Sequence, residues 1–188
     1  MVPFFKIFGS KWQLAADLGP PQHDHVIEPF AGGAGYSTRW EPKRVTLIER
    51  DPVIAGAWSY LIKATPEEIL RLPVQVNEIA ELENNRKVPE EARNLIGFWL
   101  NSGVAQPAKR RSQWARWPCL AASYWGRTVR LQIASQVPKI KHWRIIEGSW
   151  ENAPDAVAHI DPELSDAALT MMHKNMHAEV LPAEKCLN

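Results

Sequence analysis

Three groups of residues in this chain have the types and spacing to do chemistry. The first is a glycine turn, Ala31-Gly32-Gly33-Ala34-Gly35, which follows the apolar run His25 to Phe30. A second apolar run, Arg44 to Ile48, ends on Glu49, 17 residues after Gly32. Glycine allows positive φ and close approach of a ligand to backbone, and an acid at the tip of the next strand accepts hydrogen bonds from both ribose hydroxyls. The spacing is Gly-Gly-Ala-Gly rather than GxGxxG and the helix after it is short, so the pattern suits adenosine better than the pyrophosphate of a dinucleotide. A tight strand-to-helix turn without a ligand explains the same residues. The second group is Asp161-Pro162, after the short apolar run Val157 to Ile160. An acid at the carboxyl end of a strand faces the ligand crevice of an open α/β sheet, although Asp-Pro also simply starts turns.

The third group is electrostatic. The net charge of +1 conceals a segregated distribution. Residues 1–45 carry 5 basic and 4 acidic side chains, 46–104 carry 6 and 9, 105–145 carry 9 and none, and 146–188 carry 2 and 8. In the acid-free stretch, Lys109, Arg110, Arg111, Arg116, Arg127, Arg130, Lys139, Lys141 and Arg144 are interleaved with Trp114, Trp117, Tyr124, Trp125 and Trp143. Cations neutralise phosphates and flat rings stack on exposed bases, so this mixture points to nucleic acid. A solvated face over an aromatic core is the competing explanation.

The elements that must position these groups follow from local signals. Strands are expected at His25 to Phe30 and Arg44 to Ile48, with a short helical segment through Trp40 between them. Asp51-Pro52 places an N-cap and an N1 proline before a helix to Lys63. Thr65-Pro66-Glu67-Glu68 and Pro89-Glu90-Glu91 start two more helices. An earlier helix capped by Ser10 is expected to end near Gly19-Pro20, and a later one to run from Leu120 to Gln136. Strands resume at Trp143 to Ile146 and Val157 to Ile160. The organisation expected is therefore a core part over 1–64, a helical basic insert over 65–140, and a return to the core over 141–188.

Length and composition bound the rest. The 188 residues suffice for one domain of ordinary size, and 45% apolar with 23% charged residues is a globular composition. No run of 18 apolar residues is present and the N-terminus lacks the blocks of a signal peptide, so a cytoplasmic protein with no membrane partner is expected. Cys119 and Cys186 lie far apart outside any CxxC and read as reduced thiols. His173 and His177 share a helical face but lack a third ligand, so no metal is expected.

Four segments together carry a resemblance. Phe5-Lys6-Ile7-Phe8-Gly9-Ser10-Lys11, Glu28-Pro29-Phe30-Ala31-Gly32-Gly33-Ala34-Gly35, Ile48-Glu49-Arg50-Asp51 and Ile160-Asp161-Pro162 follow one another as in the Dam-type DNA adenine-N6 methyltransferases, particularly phage-encoded ones. The chain resembles that family over residues 4–63 and 127–162, and its basic stretch falls where the family carries its target-recognition insert. What the resemblance implies is a Rossmann-like α/β sheet, S-adenosylmethionine as cofactor and double-stranded DNA as partner. Lys11 matches the lysine near cofactor and target base, and Glu28, Pro29, Phe30, Ala31, Gly32, Gly33 and Gly35 match the turn around the methionine part. Glu49 matches the ribose-binding acid and Asp51 the position on the adenine side.

Methyl transfer to adenine's exocyclic amine needs acceptors for that nitrogen's hydrogens in line with the sulfonium carbon. The resemblance assigns this to the Asp161 carboxylate and the Pro162 carbonyl, beside Lys11. Lys109, Arg110, Arg111, Arg116, Arg127 and Arg130 are expected to meet the DNA.

The family's Asp-Pro-Pro-Tyr is here Asp161-Pro162-Glu163-Leu164, so the stacking aromatic is missing. Beyond it the match stops, and the expectation is a core incomplete at its C-terminal end, truncated or frameshifted within the motif, with impaired activity. A non-catalytic DNA-binding remnant and a methyltransferase acting on RNA or another amine are the alternatives.

Overall fold

The computed structural model describes residues 1–101, 103–116 and 123–152, which include the first of two compact units, Met1–Asn152. Among the described residues the fold is mixed α/β: one parallel sheet of three strands and six α-helices. The strands are β1 (His25–Glu28), β2 (Arg44–Glu49) and β3 (Arg144–Glu147), in spatial order β1-β2-β3. The register pairs Glu28 with Leu47 and Glu49 with Glu147, so all three strands end on an acid at one edge of the sheet. Central β2 is buried from Val45 to Ile48, as expected for a strand covered on both faces.

The helices are α1 (Leu14–Asp17), α2 (Gly35–Trp40), α3 (Pro52–Lys63), α4 (Pro66–Arg71), α5 (Glu90–Leu100) and α6 (Arg127–Gln136). Three start as local chemistry dictates. The Asp51 carboxylate accepts the Val53 N–H at 2.9 Å to cap α3, whose N1 position is proline. Thr65 and Glu68 close a reciprocal capping box on α4. Glu90 and Glu91 lie in the first turn of α5, where acids complement the helix dipole.

Two helices differ from expectation. Ser10 caps nothing: the first helix is a single turn that begins after Gln13 without a side-chain cap. Its chain is diverted because the Lys11-Trp12 backbone lies against Gly35. The helix expected from Leu120 starts at Arg127 instead. Trp125 prevents an earlier start, since its backbone N–H reaches the Trp99 carbonyl (2.9 Å) and its indole N–H the Pro73 carbonyl (2.7 Å). The expected strand Val157 to Ile160 lies outside the described residues.

The described residues of 65–140 share one hydrophobic core with the sheet. Phe4, Leu47, Trp58, Ile69, Leu95, Phe98, Val129 and Ile140, all buried, belong to a single cluster. Its centre is aromatic: Trp58 packs on Phe4, Phe5 and Trp143 with ring centroids 5.2–5.8 Å apart, and Phe5 stacks on Phe98 at 5.0 Å. Trp58 and Trp99 are thus core residues as expected, while Trp12 is only half-buried, outside any helix and under the Arg39 guanidinium.

Candidate functional site

The glycine turn sits between the ends of β1 and β2 and is fastened from several sides. The Ala31 N–H donates to the Ile48 carbonyl (3.0 Å) and the Gly32 N–H to Glu49 Oε2 (2.8 Å). Glu49 Oε1 accepts the Asp51 N–H at 2.9 Å, so each oxygen of this half-buried carboxylate holds one amide and keeps a second lone pair. Gly32 has φ +45°, which suits glycine, and its carbonyl accepts the Trp58 indole N–H at 2.7 Å.

At the other end of the turn, Glu28 takes the role of a helix cap. Ala34, the residue before α2, is in the left-handed region and supplies no side-chain cap. The Glu28 carboxylate accepts the Ser37 N–H at 2.7 Å in its place. Desolvation pushes the Glu28 carboxyl above its ordinary range, against the downward pull of hydrogen bonds from Ser37 and the Tyr36 amide. Burial and the neighbouring Glu28 raise Tyr36 in turn.

What fills the space beside the glycines is the chain's own N-terminal segment. A Cβ on Gly35 would stand 2.5 Å from the Trp12 nitrogen and 2.8 Å from the Lys11 carbonyl carbon. On Gly33 it would meet Ser10 Oγ at 3.2 Å and an Ile7 methyl at 3.4 Å. Gly33 and Gly35 are therefore glycine to seat residues 7–12, which the expectation of a ligand against their backbone did not include. The same contact brings the Lys11 backbone to the turn, while the Lys11 ammonium donates to the Gly9 carbonyl of its own segment at 2.8 Å.

Pro29 is half-buried and the ring of Phe30 is 57% exposed. Asp51 is differently disposed: Oδ1 caps α3 and Oδ2 accepts the side-chain amide of Gln106, so both oxygens have partners. The structure thus brings Lys11, the residues 28–35, Glu49 and Asp51 together at the carboxyl edge of the sheet. Asp161 and Pro162 lie outside the described residues. Trp58, Gln106 and Ile7 take part here without having been expected; apolar periodicity marks Trp58 as buried, and no local signal marks Gln106.

The basic stretch divides into bonded and open cations. Arg111 donates through Nε to the Val76 carbonyl (3.2 Å) and through Nη2 to that of Trp125, and burial lowers its pKa. Arg130 donates to the Leu72 carbonyl at 2.7 Å. Lys141 bonds the Ile62 and Ala64 carbonyls and so closes the C-terminal end of α3. These three tie the fold together, because each donates to a backbone carbonyl from a distant part of the chain. Arg110 pairs with Glu78 (3.3 Å) and Lys139 with Glu41 (3.1 Å) at the surface. Lys109 and Arg127 are exposed, and Arg116 ends the 3-10 turn Gln113–Arg116.

Elsewhere, a cavity of about 490 Å³ lies between Tyr60, Arg71 and Lys87 and includes none of the expected site residues. Among the described residues no helix is long and apolar enough to cross a membrane, and no cluster of His, Cys, Asp and Glu could hold a metal ion. No protein-family model matches the chain, and no curated protein is significantly similar to it.

Proposed function

We propose that the chain is built for S-adenosylmethionine-dependent methylation of the exocyclic amine of adenine in DNA, on a Rossmann-like sheet. The observation that carries this reading is the pairing of Glu49 with Gly32: a carboxylate at the tip of β2 is oriented by two backbone amides and keeps lone pairs for a diol. The strand order supports it too, because β3-β2-β1 is one half of the doubly wound arrangement, whose ligands bind outside the carboxyl ends of the strands. The donor set fits an adenosyl group. Glu49 would hold the ribose, the 30–35 turn would flank the amino-acid end, and the exposed Phe30 ring offers a face to a cation. Asp51, with both oxygens occupied, would contribute backbone and shape rather than a carboxylate contact.

When bound, this cofactor supplies an electrophilic methyl group on a sulfonium centre. The protein's part is to hold the amine in line with it and to accept the amine's hydrogens, the role of Asp161 and the Pro162 carbonyl, with Lys11 close to both ligands. Lys109 and Arg127 would meet phosphates.

The experiment is a thermal-shift and calorimetric titration of the full chain with S-adenosylmethionine. Binding by the wild type that Glu49→Gln abolishes supports the reading, because an amide NH₂ would face one of the two backbone donors. Absence of any shift or heat at millimolar cofactor ends it.

A further inference from the structure

We propose that Phe8 is the platform on which an unstacked base of the DNA substrate lies; this rests on the methyltransferase reading above and names the residue that would receive the base. Phe8 is 72% exposed, while Phe4 and Phe5 on the same segment are fully buried. Its backbone is nevertheless held on both sides. The Phe8 N–H donates to the Val104 carbonyl at 3.0 Å, and the Ser10 N–H to that of Ile7 at 3.2 Å. The preceding residue, Ile7, packs against Gly32 and Gly33, so this ring projects from the segment seated on the glycine turn.

A rigidly mounted, outward aromatic is preorganised to receive a flat partner, since little freedom remains to be lost on binding. Charge selects which partner. Residues 1–16 contain Lys6 and Lys11 and no carboxylate, and Val104, which holds Phe8, leads into the acid-free stretch with Lys109. An exposed aromatic on a segment whose charged side chains are all cationic matches a base with its phosphates. An enzyme acting on the adenine amine must take that base out of the stack and read it between apolar or aromatic side chains.

The test compares two duplexes by fluorescence anisotropy with the full chain, one carrying an unpaired adenine opposite an abasic site, the other abasic in both strands at that position. The wild type is expected to prefer the adenine duplex by about 5- to 150-fold, the range for one stacked base. Phe8→Ala should bind both duplexes alike while melting at the wild-type temperature, and Phe8→Trp should keep the preference. Three results overturn the proposal: a preference that survives Phe8→Ala, loss of the S-adenosylmethionine shift in its place, or a change of oligomeric state on substitution. If the wild type shows no shift with S-adenosylmethionine but Phe8→Ala still erases the preference, the base platform stands and the methyl-transfer reading falls.

Discussion

The indole N–H of Trp58 donates to the carbonyl of Gly32 at 2.7 Å, across 26 residues of sequence. Trp58 is also the middle of the aromatic core, so one side chain couples the packing of the domain to the shape of the glycine turn. Phe at this position keeps most of the apolar contact and removes the donor. Trp58→Phe is expected to cost about 1–3 kcal/mol from the orphaned carbonyl alone, before any cavity is counted. Urea denaturation checks this.

Gly35→Ala tests whether the N-terminal segment truly rests on the turn. The added carbon would sit 2.5 Å from backbone, which cannot swing away as a side chain can, so a loss at the top of the overpacking range, about 3 kcal/mol or more, is expected. Gly103→Ala is the control. With φ +69° and nothing within 4 Å, it should cost only the left-handed strain of about 1–2 kcal/mol. Equal effects in melting experiments would contradict the close contact at Gly35.

Glu28 predicts a pH dependence of definite sign. Its folded pKa lies above the ordinary value of 4.5 because burial disfavours the charge. The folded state then binds the proton more tightly than the unfolded chain. The contribution to stability is fully present below 4.5 and is lost as the pH rises through the raised folded value. The stability of wild type minus that of Glu28→Gln should therefore fall with rising pH, as read from denaturation curves at a series of pH values. A difference that rises would reverse the assignment.

The cations should separate into two classes. Lys109→Ala with Arg127→Ala is expected to flatten the salt dependence of DNA affinity by about 2 log units per log unit of salt and to leave melting unchanged. Arg111→Ala should instead destabilise the fold by about 2 kcal/mol, because two carbonyls lose a charged donor. Affinity measured against salt, beside thermal melts, distinguishes the two.

These contrasts also show how far the sequence could be read. Strands β1 and β2 and the starts of α3, α4 and α5 are legible because their signals are local: an apolar run, or Asp, Thr or Pro at a cap. Helices α1 and α6 are not, since what delimits them is a contact with Gly35 or with Trp99, far away along the chain. Glu49 and the turn were legible as a pair from spacing alone. The reason for Gly33 and Gly35 was hidden, because a glycine reports that space is needed without saying what occupies it. Charge counting likewise cannot tell a cation for solvent from one such as Arg111 or Lys141, whose partners are carbonyls of distant residues.

The segment from Val2 to Phe8 is held by partners far along the chain. Val2 bonds the side chain of Gln136, Phe4 accepts the indole of Trp99, and Phe8 bonds Val104. None of these partners exists when residues 2–8 leave the ribosome, so Phe4 and Phe5 reach their full burial, against Trp58, Phe98 and Trp99, only after those residues have been made. Closing contacts of such sequence separation is slow, and the waiting apolar rings are a target for chaperones and for aggregation. Yield of soluble protein should therefore respond more to the rate of translation and to chaperone supply than the finished molecule's stability would suggest.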